Sequence, residues 1–564
     1  MIKPRPNSIS IEQPDSDSCT TAIPVSNPLS PDATASCSNS SGLPEVVDEV
    51  TDIFDISPQA DDPESSIGAD SPSDDTPLFA STLLDNSMSS LTCFIPPQRS
   101  SLLLNHYFSA VCQLNSAFDS SYNPFRSEVP RMMVGSPLLF CCVLSMSAAH
   151  FYQGDQSSSS IPLQFQTEAL SHLSNRLSQM ATLLPTRRLP GAQIEESTRS
   201  SLVRQRSMNV QDDVLLGIII LGMTSAWHDV SATGIPHLHG SRQLFKAWVA
   251  SNSLEDPEKR ASMSQTQNFL VSSMIYWEAM SSVLLDQEFE ALSCLDIFCD
   301  PNPPSLVRPC PWTGVGTPVF VFLAKTVTLV RNNRALRSLR VFKTGEQHRS
   351  VLYSGLLEKA SELERKVVGF QLPFVGLIDD TGDPCTPPDH FLAVSRCYRL
   401  AALLELYRAF PETVKAQTVI EQTIDVPSGE YDGQTYLLLG LAFGILDILE
   451  AIPNNSGTIS TQLLALMIAG SVLGPATPSQ FQDNTSRRGS LHQEIVRWRS
   501  FVRQRILYVY VTVGLRAVNH ATLIIEEVWS RMDALAACHK DKAPATEIHW
   551  IDVMSEMRLE TILG

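Results

Sequence analysis

A chain of 564 residues exceeds what one hydrophobic core usually supports, so a folded body accompanied by further units or solvated segments is expected. Its 43% hydrophobic share suffices for a sizeable core, and the net charge of −19 argues against broad phosphate binding, which needs clustered Lys and Arg. The twelve cysteines include no C-x2-C pair and mostly sit in apolar stretches such as Cys141-Cys142, which points to buried reduced thiols and a reducing compartment, and MIKPRPNSIS lacks the apolar core of a secretory signal.

Residues 1–96 are rich in Ser, Pro and Asp and show no sustained period, so a disordered acidic tail is expected there. The first hundred residues carry sixteen acids against Lys3, Arg5 and Arg99, a net −13 that leaves only −6 for the remainder. Within the tail, Val46, Val47, Val50, Ile53, Phe54 and Ile56 alternate with Asp48, Glu49, Asp52 and Asp55, and a weaker patch runs from Leu78-Phe79 to Leu83-Leu84-Asp85. Carboxylates keep such apolar residues soluble until a partner groove accepts them as an induced helix. The pattern reads either as a transcriptional activation segment or as a solubilising tail.

Folding is expected to begin near residue 97 and to continue to 564. Leu103, Tyr107, Val111, Leu114 and Phe118 share one helical face, and Asn123-Pro124 interrupts it. Ser136 and Pro137 read as N-cap and first turn of an apolar helix through Tyr152. Helices follow over Phe165–Leu177, Val214–Trp227 behind Asp212-Asp213, His237 to Trp248, and Phe269–Leu285, with a loop at 181–210 between the first two. Residues 299–318 hold six prolines and read as a long irregular connection. Helices resume at Val319–Arg331, Leu352–Val368, His390–Phe410, Gln434–Ala451 and Ser460–Leu473. After a polar loop at 474–490, two more span Glu494–Trp529 with a join near Thr512–Leu515, and Trp550–Met554 closes the chain. The fold class is therefore all-α, an irregular multi-helix bundle. Its strongest apolar runs, Val214–Met223, Tyr436–Leu446 and Leu463–Leu473, are about half the twenty residues a membrane span takes, so core helices and no membrane association are expected.

Motifs that carry chemistry are sparse. His237 and His239 lack a neighbouring acid or cysteine at ligand spacing and read as structural or surface residues; no metal and no cofactor is expected. Gly314-x-Gly316 lacks the preceding strand and third glycine of a phosphate loop. Arg487-Arg488-Gly489-Ser490 has the spacing that basophilic kinases favour, making Ser490 a candidate phosphosite. With no G-x-S-x-G, H-E-x-x-H or Walker pattern, an enzyme is not expected, although a site assembled in space would leave no such trace.

One ordered set of short motifs does resemble a known family. It runs Leu103-x-x-His106-Tyr107, Phe118-Asp119, Asn123-Pro124-Phe125, Ser136-Pro137-Leu138-Leu139 and Ala148-Ala149-His150, then Asp213-Val214-Leu215-Leu216 and His239-Gly240-Ser241-Arg242-Gln243-Leu244. Tyr398 to Pro411, Ala469-Gly470-Ser471, Glu526-Glu527-Val528-Trp529 and Trp550 complete it. Together these resemble the regulatory (middle homology) domain of fungal-specific transcription factors over about 100–564. The resemblance implies an elongated all-α bundle in a nuclear regulator. Its partners would be other transcription factors or coactivators, with DNA reached only indirectly; a small-molecule effector and a dimer are also open. That family usually carries a Zn2Cys6 cluster, whose six thiolates share two zinc ions, yet only Cys19, Cys37 and Cys93 precede the helical region here. Either the chain acts through a DNA-bound partner, or it is an incomplete gene product whose natural N-terminus carries the cluster. The alternative is a helical ligand-sensing or protein-interaction module with no transcriptional role.

Overall fold

The structure, a computed structural model, describes residues 97–154, 160–182, 210–299, 306–338, 346–414, 433–475, 485–538 and 548–562, the side chains of residues 97, 181–182 and 485–490 excepted. The expected acidic tail, Val46, Val47, Val50, Ile53, Phe54 and Ile56 included, and nearly all of the 181–210 loop lie outside the described residues. Secondary structure among the described residues is helical, apart from two isolated bridges, Val307 with Ile378 and Cys310 with Gly314. The all-α expectation is met.

The opening helix departs from its predicted form. α1 (Pro97–His106) passes into a π-helical turn, Tyr107–Val111, and ends with Cys112–Leu114 rather than at Phe118. The wider turn lets Leu103, Leu104, Tyr107, Phe108 and Val111 all be buried. Asn115 then stops the helix, its side-chain N–H donating to the Val111 carbonyl at 3.0 Å in competition with the backbone. Asn123 shapes the following turn by donating to Cys112 O and accepting the Phe125 N–H, at 3.0 and 2.9 Å. A short α2 (Glu128–Met133), not anticipated from the sequence, leads to α3 (Pro137–Phe151). There the predicted cap is present: Ser136 Oγ accepts the Leu139 N–H at 3.3 Å, and proline occupies the first turn.

α4 (Ser160–Thr182) lies along α3, which also touches α5 (Asp212–Met223). The predicted cap at Asp212-Asp213 takes another form. Both acids sit in the first turn and tie neighbours to it, Asp213 accepting from Ser136 Oγ and Asp212 from the Trp248 indole, at 2.7 and 2.8 Å. α5 stops at Thr224, whose hydroxyl donates back to Ile220 O, and a turn Ser225–His228 follows. Next come α6 (Ile235–Ser251) and α7 (Gln265–Ser282). α7 opens on a capping box at Ser264 and Gln267, and all its residues from Phe269 to Ser282 are buried, which makes it a central helix.

α8 (Thr317–Ser338) packs between α7 and α10 (Pro388–Ala409), with α9 (Glu346–Gly369) alongside. α11 (Gly433–Ala451) and α12 (Leu463–Gly470) cover α10. α11 is long and apolar enough to cross a membrane, beyond what its shorter apolar run suggested, but Leu437, Leu441, Ile445 and Leu449 on it are buried in the core. α13 (Thr485–Val513) and α14 (Ala517–Cys538) form a hairpin joined at Gly514, where the join was predicted, and α15 (Trp550–Glu556) packs on α14.

Close approach fixes one glycine. A Cβ on Gly222 in α5 would stand 2.0 and 2.4 Å from two ring carbons of the fully buried Trp277. G222A should therefore lower stability by about 2 kcal/mol, overpacking outweighing the gain of about 1 kcal/mol in helix propensity. Chemical denaturation checks this, and an unchanged or raised midpoint would show that the indole yields.

Candidate functional site

The connection at 306–316, expected to be irregular, carries a core aromatic. Trp312 is 6% exposed and its ring stacks on Tyr276 of α7 at 5.6 Å and 16°. It begins a continuous aromatic chain, for Phe125 meets Trp312 edge-on at 5.2 Å, Tyr276 meets Phe320 at 5.4 Å, and Phe320 meets Tyr398 at 4.5 Å. Such offset and edge contacts add to plain area burial and hold each ring in one orientation.

Beside this chain lies a cavity of about 50 Å³ within a concavity of about 730 Å³ counted out into the solvent at its mouth. Leu114, Asn115, Met223, Trp227 and Tyr276 contribute from the first half of the chain, and Trp312 from just past its midpoint. Ser460 and Leu463 enter from just before and at the start of α12, and Val509, Val513, Leu515, Ala517, Val518 and Ile562 from the C-terminal hairpin and tail. The lining contains no charged side chain. Tyr276 is 1% exposed and its hydroxyl makes no hydrogen bond among the described residues.

Two histidines stand behind the hairpin end. His150 Nε2–H donates to Val513 O at 3.2 Å, so its Nδ1 accepts from His106 Nε2–H at 2.8 Å. Burial lowers the pKa of both, and the proximity of His150 lowers His106 further. The chain His106–His150–Val513 thus depends on both rings being neutral.

A second polar group clamps the C-terminus. Glu405 of α10, 0% exposed, accepts the His549 Nε2–H at 3.0 Å and the Trp550 indole N–H at 2.7 Å. The tautomer follows from the cap, because His549 Nδ1 accepts the Ile551 N–H at 3.2 Å and cannot carry a proton. One turn along α10, the Arg408 guanidinium donates to Ser471 Oγ and Ile548 O, at 3.0 and 2.5 Å. A buried carboxylate and guanidinium therefore hold the start of α15 against α10 and α12.

The profile of the fungal specific transcription factor domain matches residues 101–564. The chain belongs to this family. No curated protein and no solved structure matches it. As a fungal transcription factor domain the chain has a regulatory rather than enzymatic family role, and the match covers the described residues from 101 onward.

Within this fungal transcription factor domain, the motifs read from sequence distribute unevenly. His106, His150, Tyr398, Glu405 and Trp550 belong to the networks above. Arg242 forms a two-pronged pair with the buried Glu278, both contacts 2.6 Å, joining α6 to α7. His237 is partly buried and His239 exposed, and no group of three or more His, Cys, Asp or Glu among the described residues is placed to hold a metal ion. Gly316 serves packing, since a Cβ there would lie 2.6 Å from Ser395 Oγ.

The last helix pair begins earlier than expected, inside the predicted 474–490 loop, and Ser490 lies on it. It falls in the second turn of α13, whose backbone is helical from Thr485, not at the end of a polar loop; its side chain lies outside the described residues. The buried face of α13, Ile495, Trp498, Val502, Ile506 and Val509, carries the helix, and the preceding polar turn adds no apolar periodicity that sequence could show. Sequence reasoning missed the cavity and the Glu405 clamp. Both unite residues too distant in the chain to leave a local signal, although two polar residues inside LLELYRAF, Glu405 and Arg408, were a visible anomaly.

Proposed function

We propose that this chain regulates transcription in the nucleus through its helical domain, is brought to DNA by a DNA-bound partner, and uses the acidic segment around Val46, Val47, Val50, Ile53, Phe54 and Ile56 as its contact with coactivators. The family match across 101–564 carries the regulatory role. Partner-borne DNA binding is supported by the net charge of −19, which does not favour phosphate contacts by this sequence itself. The effector role rests on apolar side chains spaced among carboxylates.

Residues 40–96 fused to a heterologous DNA-binding domain should activate a reporter, and replacing Ile53, Phe54 and Ile56 together by Ala should remove most of that activity. A silent fusion removes the effector role. Activity that survives the triple replacement removes the segment's apolar face as its basis. The uncharged cavity beside Tyr276 favours a second element, an effector-sensing function of the same helical domain.

A further inference from the structure

We infer that the cavity between Tyr276 and the C-terminal hairpin is a binding site for a small uncharged organic molecule with a flat apolar body and one hydroxyl or carbonyl head. This rests on the effector-sensing element of the proposed function and gives it a place and a ligand class.

The polar evidence comes from two groups. Tyr276 is clamped between Trp312 and Phe320, at 5.6 and 5.4 Å, so its hydroxyl cannot swing away to find a partner. The hydroxyl makes no hydrogen bond to a described residue, so it is available to a ligand oxygen entering from the cavity. On the same wall, Asn115 commits its amide N–H groups to Val111 O at 3.0 Å and Met146 Sδ at 3.6 Å, which leaves Oδ1 open as an acceptor. One hydroxyl and one free carbonyl oxygen suit a head group that both donates and accepts.

The rest of the lining sets the class. Among the described residues no charged side chain lines the cavity to offset the desolvation of an ionised ligand, so a neutral one is favoured. Trp227, Trp312, Leu463 and Val509 offer flat and branched apolar surface. The enclosed space, about 50 Å³, is a third of the roughly 150 Å³ that admits benzene in an engineered apolar cavity. The head therefore enters and the remainder of the molecule lies in the mouth. Because Val513, Leu515, Ala517 and Val518 form one wall, an occupant would press on the α13–α14 junction and stabilise the docked hairpin.

Phenol is a suitable neutral probe and benzoate its charged counterpart. Calorimetry and thermal unfolding of the full chain should show saturable phenol binding with a raised midpoint, and no effect of benzoate. Y276F should weaken phenol about tenfold while leaving the unliganded midpoint nearly unchanged, because the hydroxyl bonds no described residue. A517L should fill the cavity and abolish binding; should that variant not fold, V518I gives the milder version of the same test. Absence of saturable phenol binding, meaning a cavity that holds water only, would overturn the inference, as would undiminished affinity in Y276F or in the filled variants. Phenol that binds as expected yet leaves reporter output unchanged keeps the site and removes only the effector-sensing element.

Discussion

Replacing Glu405 by Ala should lower the unfolding free energy by about 3–5 kcal/mol, since two buried N–H groups lose their acceptor at roughly 1–3 kcal/mol each. Burial alone would raise the Glu405 carboxyl, but the His549 imidazole, the Arg408 charge and the Trp550 N–H bring it down to about 2. The carboxylate is thus ionised at neutral pH and offsets Arg408, itself 5% exposed. Its loss leaves two N–H groups, on His549 and Trp550, without this acceptor and removes the coulombic attraction between Glu405 and Arg408. Since domains are typically stable by only 5–15 kcal/mol, the variant should be close to unfolding at 37 °C. Urea denaturation gives the size of the effect, and limited proteolysis should cut first beside α15. The paired replacement E405M with R408M should cost clearly less than the sum of the single changes, because the two charges act on each other. A loss under about 1 kcal/mol in E405A would mean that α15 is held by apolar packing alone.

The Glu405 group also marks where sequence reading stopped. Helices announced themselves through local rules: Ser136 and Pro137 fixed the start of α3, and the join at Gly514 falls within the Thr512–Leu515 break expected between two helices. Fungal transcription factor membership rested on the order of motifs from Leu103 to Trp550, and the family match bears it out. What could not be read was longer in range or subtler in register. Glu405 lies 144 residues from His549, and Trp312 reaches Tyr276 from a proline-rich stretch that composition marks only as loop. The π turn at Tyr107–Val111 preserves an ordinary apolar spacing, so periodicity cannot distinguish it from α-helix. The cavity has no sequence signature at all. It exists because the hairpin end, the Thr224 break and Tyr276 converge without filling the space between them.

Acidification from pH 7 to pH 4 should destabilise the domain well before its carboxylates titrate. Burial pushes His549 down to about 4, with the nearby Arg408 charge adding to the effect, and burial alone takes His228 to about 4. His228 Nε2 meets Ser145 Oγ at 3.2 Å, while its Nδ1 is buried with no hydrogen-bond partner. In the unfolded chain both rings titrate near 6.5. Between about 6.5 and 4 the unfolded state therefore binds protons that the folded state refuses, and stability falls as pH falls through that window. The fully buried His549 can supply up to about 3 kcal/mol of this loss, and the less deeply buried His228 a smaller amount. Glu405 acts lower: its folded value of about 2 lies beneath the unfolded carboxylate range, so its contribution is intact above about 4.5 and fades only below that. The windows can be separated. H549N retains a capping oxygen for Ile551, and H228Q retains a polar donor toward Ser145. Each should flatten the dependence between pH 6.5 and 4 by about one proton, read from denaturation midpoints across that range, and the double variant by about two. Stability that stays level from pH 7 to 4.5 in the unmodified chain would mean that both imidazoles accept protons in place, which the buried Nδ1 of His228 and the cap role of His549 Nδ1 argue against.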